Sequence, residues 1–434
     1  MSNTRKLGFL DHFALWGSLG ASLYLMPFGA LLVPALSIEQ AVLATMVAGL
    51  IGGLLIASVA AIATATGRST AELLAAPFGD RGRLPVALLL VARHLLFAVF
   101  ALVLITDSAA LISERSLGVG LRPLWAVVFG AAGLTLVLAG PGRVSTGMRR
   151  AGLWLVLLVA VAVSVSAYAE FEIPSYLRRP AVGGWPSFWQ ATDIMLIFPL
   201  LWLPVVADFA RFGRDSRSAA RGSFAGVFLA SIWFGVLGIL YLPATDSGDI
   251  PGFLVGMQLG MGALVLLFLL QIDEIYAATY ATLPAIESLA AGARARYAPA
   301  VAIAAAVPAA TVLHVADLEG YVLFAASVFI PAFAIVVAHA LWPATRPWAA
   351  PLLAWLAGFL MYQWITPADI GWWRDVLNSA SDLAGFPFPL SDHVTWLGAA
   401  LPAFLLAFWI DLFVPAAARL FLGQRQANVV GRTA

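Results

Sequence analysis

Two acidic residues stand side by side in the stretch LLQIDEIYAATYATLPAIESL, residues 269–289, inside an otherwise apolar run. Asp273 and Glu274 have no lysine or arginine nearer in sequence than Arg221 and Arg294. A charged side chain at membrane depth costs about 2.5–3.5 kcal/mol even on the lenient insertion scale, and it usually faces a cavity or a partner. Two chemistries fit. A carboxylate accepts two parallel, charge-assisted hydrogen bonds from an exocyclic amine and an adjacent protonated ring nitrogen, which suits Glu274 to an aminopyrimidine. A carboxylate also takes up a proton on one side of a membrane and releases it on the other. The structural alternative is a permanent ion pair, for which Arg93 is the candidate counter-ion. Arg93 lies about ten residues into an apolar run, too deep to reach water easily. Asp273 points about 100° away from Glu274 on a helix, so the two need not share one role.

Membrane helices must position these groups. Of 434 residues, 62% are hydrophobic and 11% charged, against about a quarter charged in soluble domains. About twelve runs reach the roughly 20 residues that cross a bilayer. Backbone N–H and C=O groups in lipid must be satisfied locally, so the expected class is an all-α membrane protein. The expected spans are 10–36, 38–66, 84–112, 122–140, 151–170, 190–210, 222–243, 252–285, 297–314, 318–341, 347–365 and 396–420. The apolar segment after MSNTRK is too long for a signal-peptide core and is expected to be a retained first helix. With no cysteine, disulfides, thiolate catalysis and Cys-based zinc sites are excluded. No basic cluster with interleaved aromatics marks a nucleic-acid partner.

With these spans, 18 of the 24 basic residues fall on one side. Arg115, Arg122, Arg178, Arg179 and Arg374 fall on the other, and Arg93 lies within a span. The positive-inside rule then places both termini in the cytoplasm, with an even number of helices in the inner (plasma) membrane. Residues 366–395, with WWRDVLNSASDLAGFPFPLSDH, read as a short interfacial segment.

Two spans are rich in breakers. The first reads ALWGSLGASLYLMPFGALLVPAL, with Gly17, Gly20, Pro27, Gly29 and Pro34. The sixth reads DIMLIFPLLWLPVVADFARFGRD, with Pro199 and Pro204. Interrupted helices at matching positions of two halves are the sequence pointer to an inverted-repeat transporter, whose unwound backbones line the site near the midplane.

The sixth span resembles that of the nucleobase–cation symporter-1 family, through Asp208, Phe209, Arg211 and Phe212. EIYAATYATL resembles the family's eighth helix, particularly in the hydroxymethylpyrimidine (thiamine precursor)/cytosine permease branch. YVLFAASVFIPAFAI, with Ser327, Phe329 and Pro331, is similar to its tenth. The first span aligns with that branch through Trp16, Ser22, Gly29 and Pro34. The resemblance implies a LeuT-type fold of two inverted five-helix repeats, 1–170 and 190–341, followed by two extra helices, 347–420. It implies cation-coupled symport of a small planar heterocycle, with no cofactor and no enzymatic activity. Phe97, in Leu96-Phe97 where the family has Gly-Trp, and Trp202 are the implied substrate-stacking aromatics. Glu274 is the implied polar reader, and Ser22 and Ser327 are further substrate-binding positions.

The coupling ion is where the sequence departs from the family. The family's sodium site uses helix-eight hydroxyls, and the matching positions here fall near Phe268 and Leu269. No Ser or Thr lies between Gly252 and Thr279. Protons are the natural replacement, with Asp273 or Glu274 as carriers. Sodium would have to rely on backbone carbonyls around Leu19 and Ser22, with Asp273. The alternatives are the same fold carrying an amino acid or amine, and an intramembrane lipid-modifying enzyme. The latter needs a nucleophile, metal triad or His/Asp pair in register, and none is visible. His314 and His339 fall near helix ends, His12 and His393 at the interface, and no two are spaced as metal ligands. The residues do not specify an oligomeric state.

Overall fold

The computed structural model describes residues 6–170, 177–241, 262–289, 295–343, 347 and 349–413. Of the expected spans, residues 242–243, 252–261, 348 and 414–420 lie outside the described residues. The first span is two helices, α1 (Phe9–Gly20) and α2 (Leu25–Ala30), separated by four non-helical residues. Then follow α3 (Ile38–Thr66), α4 (Asp80–Leu117), α5 (Arg122–Ala139) and α6 (Leu153–Glu170). The sixth span is likewise split, into α7 (Phe188–Leu201) and α8 (Leu203–Ala210). Beyond it lie α9 (Ser216–Tyr241), α10 (Gly262–Tyr280), α11 (Ala298–Val312), α12 (Val315–Leu341) and α13 (Ala349–Ile365). Helix α14 (Gly371–Ala384) and a last apolar helix, α15 (Ala400–Phe413), complete the order.

Seven described helices are long and apolar enough to cross a membrane, and three shorter apolar helices accompany them. Together with the split first span and α10, these are consistent with twelve segments. Among the described residues the only β pairing is a single bridge between Leu7 and Gly213.

The helices sort into two packed groups. The split pairs α1/α2 and α7/α8 pack with α3 and α9 as a bundle, whereas α4, α5, α10 and α11 pack on one another as a scaffold. Small residues let the bundle close up, as membrane helices without a hydrophobic drive between them require. A Cβ on Gly226 of α9 would lie 2.7 Å from the Gly17 nitrogen, and one on Gly238 would lie 2.1 Å from the Met26 carbonyl oxygen. The broken first span therefore rides on a glycine track in α9.

Helix ends follow local chemistry. Ser37, Ser69 and Ser187 each accept the N–H three residues on, while Gln40, Glu72 and Gln190 reach back to close capping boxes. Asp215, in the loop before α9, accepts the Ser218 N–H and hydroxyl, both at 2.8 Å. These bonds hold its carboxyl down at about 2. Helix α4 starts earlier and ends later than the apolar run at 84–112 because Gly79 and Gly118, both at positive φ, set its limits.

Candidate functional site

The break in the first span is held by a side chain from the scaffold. In an unbroken helix the Leu23 N–H would bond to the Leu19 carbonyl. Here it donates instead to Gln271 Oε1 of α10, at 3.0 Å, and the Ser22 hydroxyl reaches the same oxygen at 3.5 Å. Ser22 Oγ in turn accepts the Tyr24 N–H at 3.1 Å, and so starts α2. Leu19 is fully buried at the end of α1, its carbonyl released from the helical pattern.

Asp273 and Glu274 follow Gln271 two and three residues further along α10. They are 5% and 7% exposed. Ser18 of α1 lies beside Asp273, and Ser22 lies beside Glu274. Both Asp273 oxygens and Glu274 Oε1 are buried without a hydrogen-bond partner. Buried carboxylates in that state are rare, because an unpaired one loses its hydration with no compensation.

Arg93 of α4 is not brought onto either acid. Its guanidinium donates to the Leu201 carbonyl at the end of α7, contacts His94 Nδ1 at 3.1 Å, and lies 3.7 Å over the centre of the Phe97 ring. It thereby satisfies a carbonyl that the break at Trp202 leaves open. Trp202 is itself the junction residue, 5% exposed, with its N–H on the Pro199 carbonyl at 3.2 Å. Phe97 and Trp202 are both buried and make no ring contact with each other. Phe97 instead sits 6.4 Å from Phe100, which packs edge-on to Tyr24 at 5.0 Å. One face of Phe97 is already covered by Arg93.

Ser327 is fully buried in α12 and satisfied by protein. Its hydroxyl donates to the Phe324 carbonyl and accepts from Gln363 Nε2 of α13, each at 2.7 Å. Gln363 Oε1 also takes the Trp373 indole N–H at 2.8 Å, tying α14 to α12. None of these bonds reaches the α10 acids.

Below the break, Phe209 of α8 packs 5.9 Å from Tyr276 and 5.1 Å from Tyr280 of α10, an aromatic plug between bundle and scaffold. Its neighbour Asp208 accepts the Thr70 N–H at 3.0 Å. Two large cavities are present among the described residues. One of about 650 Å³ is lined by Arg68, Glu72, Asp80, Glu287 and His339 among others, and another of about 640 Å³ lies between α1, α6 and α9. Among the described residues no three His, Asp or Glu side chains group as a metal site.

His12, expected at the interface, is fully buried in α1. Gly222 makes the room, since a Cβ there would lie 2.8 Å from His12 Cβ. Sequence reasoning passed over Gln271, Gln363 and Asp193. Asp193 of α7 caps α15, accepting the N–H groups of Ala399, Ala400 and Leu401 at 2.7–3.2 Å. The available signal was the same as for the acids, a polar side chain in an apolar run.

No family model and no curated protein matches the sequence. Solved structures do match. The chain is similar to Mhp1, a nucleobase-cation-symport-1 family transporter, in a closed conformation with bromovinylhydantoin bound. That match has a TM-score of 0.72 at 16% identity and covers 97% of this chain and 94% of that one. Against the inward-facing conformation of Mhp1 the TM-score is 0.64, at 16% identity, with 97% and 92% covered. A mutant form of a manganese transporter of Eremococcus coleocola matches at a TM-score of 0.54 and 12% identity, over 93% and 95% of the two chains. The fold is therefore the LeuT type, shared with Mhp1.

Proposed function

We propose that the chain is a secondary active transporter of the nucleobase–cation symporter-1 family, which imports a small planar heterocycle with a coupling cation. The observation that carries this reading is the pair of buried carboxylates, Asp273 with both oxygens and Glu274 with one oxygen unpartnered, beside the break in the first helix. Between them the scaffold and the bundle supply a reader and an ion carrier at a place where the first helix is interrupted. The similarity to Mhp1, whose closed form holds bromovinylhydantoin, supports a heterocycle as cargo. The higher TM-score to the closed form than to the inward-facing form agrees with the burial of the acids.

In this reading Glu274 binds the substrate's N–H edge, with Phe97 and Trp202 against its ring faces and Ser22 alongside. Asp273 carries the coupling ion, a proton in preference to sodium. For sodium, the Leu19 carbonyl and Ser22 would have to complete the shell. Ser327 is a further substrate-binding position. Residues 1–170 and 190–341 form the two inverted repeats, 347–420 adds two helices, and both termini face the cytoplasm. A pyrimidine of the cytosine or hydroxymethylpyrimidine kind fits the acceptor geometry of Glu274. Uptake by whole cells of labelled cytosine and labelled hydroxymethylpyrimidine tests the reading. Saturable accumulation above the vector control is expected. No uptake, with altered lipid turnover instead, would point to a membrane enzyme.

A further inference from the structure

The seam between bundle and scaffold holds two buried acids and no base to match them. Among the described residues, no Lys, Arg or His forms an ion pair with Asp273 or Glu274. Arg93, the guanidinium on the same seam, is committed to the Leu201 carbonyl, to His94 and to the face of Phe97. Three contacts from two helices hold it there, so it is no mobile counter-charge. Gln271 turns its oxygen to Leu23 and Ser22. Ser18 and Ser22 carry the nearest hydroxyls, and both Asp273 oxygens and Glu274 Oε1 remain buried without a hydrogen-bond partner. A buried carboxylate left in this state is strongly unfavourable until a proton or a cation arrives.

A neutral cargo would leave both acids to be neutralised by protons or metal ions. A cargo that is itself a cation with in-plane N–H groups satisfies Glu274 directly through charge-assisted, two-point bonding. The ring systems around the break suit such a ligand. Tyr24 lies near Glu274 and meets Phe100 edge-on, and Phe100 leads on to Phe97. The faces of such rings attract cations that have shed water.

We infer that the cargo of this site is an aromatic monocation with an amidinium- or aminopyridinium-like edge, held by Glu274, while Asp273 beside Ser18 is left for the coupling ion. This rests on the transporter reading above and adds the charge of the substrate to it.

The test uses isosteric pairs that differ in charge: benzamidine against benzamide, and 2-aminopyridine, protonated at mildly acidic pH, against 2-pyridone. Binding is measured calorimetrically on purified full-length protein, wild type, Glu274→Gln and Glu274→Asp. Uptake of labelled cytosine into proteoliposomes is followed in parallel. Each cation should bind at least tenfold tighter than its neutral partner. Glu274→Gln should bring that ratio to about one, and Glu274→Asp, which keeps the charge, should retain a preference. If the neutral members bind as tightly as the cations while cytosine still accumulates, the charge assignment is overturned and the transporter reading stands. If no member binds and cytosine does not accumulate, both fall.

Discussion

Gln271 and Leu23 are 248 residues apart in sequence, and the side-chain oxygen of the first accepts the backbone N–H of the second at 3.0 Å. That bond takes the place of the one the first helix gives up. It joins the scaffold to the bundle at the point where the two acids sit. Gln271→Leu leaves a buried N–H without an acceptor, a loss of about 1–3 kcal/mol. Gln271→Asn keeps an amide acceptor on a shorter side chain and should recover part of it. Thermal unfolding in detergent measures both. A Gln271→Leu protein as stable as wild type would mean that the break supports itself.

The position of Arg93 predicts the outcome of a double-mutant cycle. Arg93 contacts Leu201, His94 and Phe97, but neither acid. The stability effects of Arg93→Gln and Glu274→Gln should therefore add to within about 0.5 kcal/mol, as for residues with no shared partner. A coupling well above about 1 kcal/mol would show a direct ion pair.

Stacking on aromatic faces is worth about 0.5–1.5 kcal/mol beyond area burial. Alanine at Phe97 or Trp202 should raise the apparent KM for cytosine by about three- to tenfold. Alanine at Phe100, whose partners are Tyr24 and Phe97, should act mainly on stability. Equal KM effects at all three would show general packing rather than ligand contact.

The last helix is anchored by a buried acid. Asp193 receives three N–H groups from the start of α15, and a Cβ on Gly398 would lie 2.3 Å from Asp193 Cβ. Asp193→Ala removes the cap, and Gly398→Ala pushes the helix off it. Each should lower the thermal midpoint, and the double variant should be little worse than the single ones. Fully additive losses would mean that the two residues act separately.

The parts of this molecule visible in sequence are those written in residue type. Gly17, Gly20, Pro199 and Pro204 announced two interrupted spans, and the breaks fall at Ala21–Tyr24 and at Trp202. Asp273 and Glu274 stood out because charge is costly in an apolar run. What stayed hidden depends on which helix faces which. Nothing in the local sequence says that Gln271 meets Leu23, that Arg93 turns to a carbonyl rather than an acid, or that Ser327 is taken up by Gln363. The limits of α4 were missed for a different reason. Asp80, Arg81 and Arg83 end the apolar pattern without ending the helix, which needs only a continuous backbone ladder between its two glycines.

In the proposed mechanism the α10 acids, at the break in the first helix, move substrate together with a proton. Proteoliposomes in sodium-free buffer, loaded with wild type, Asp273→Asn or Glu274→Gln and given an inward proton gradient, test it with labelled cytosine as probe. Wild type should accumulate cytosine and lose it on addition of a protonophore. Asp273→Asn should still bind cytosine but fail to concentrate it, and Glu274→Gln should lose at least tenfold in uptake. Accumulation that requires sodium, ignores the protonophore and survives both substitutions would rule out proton coupling through these acids.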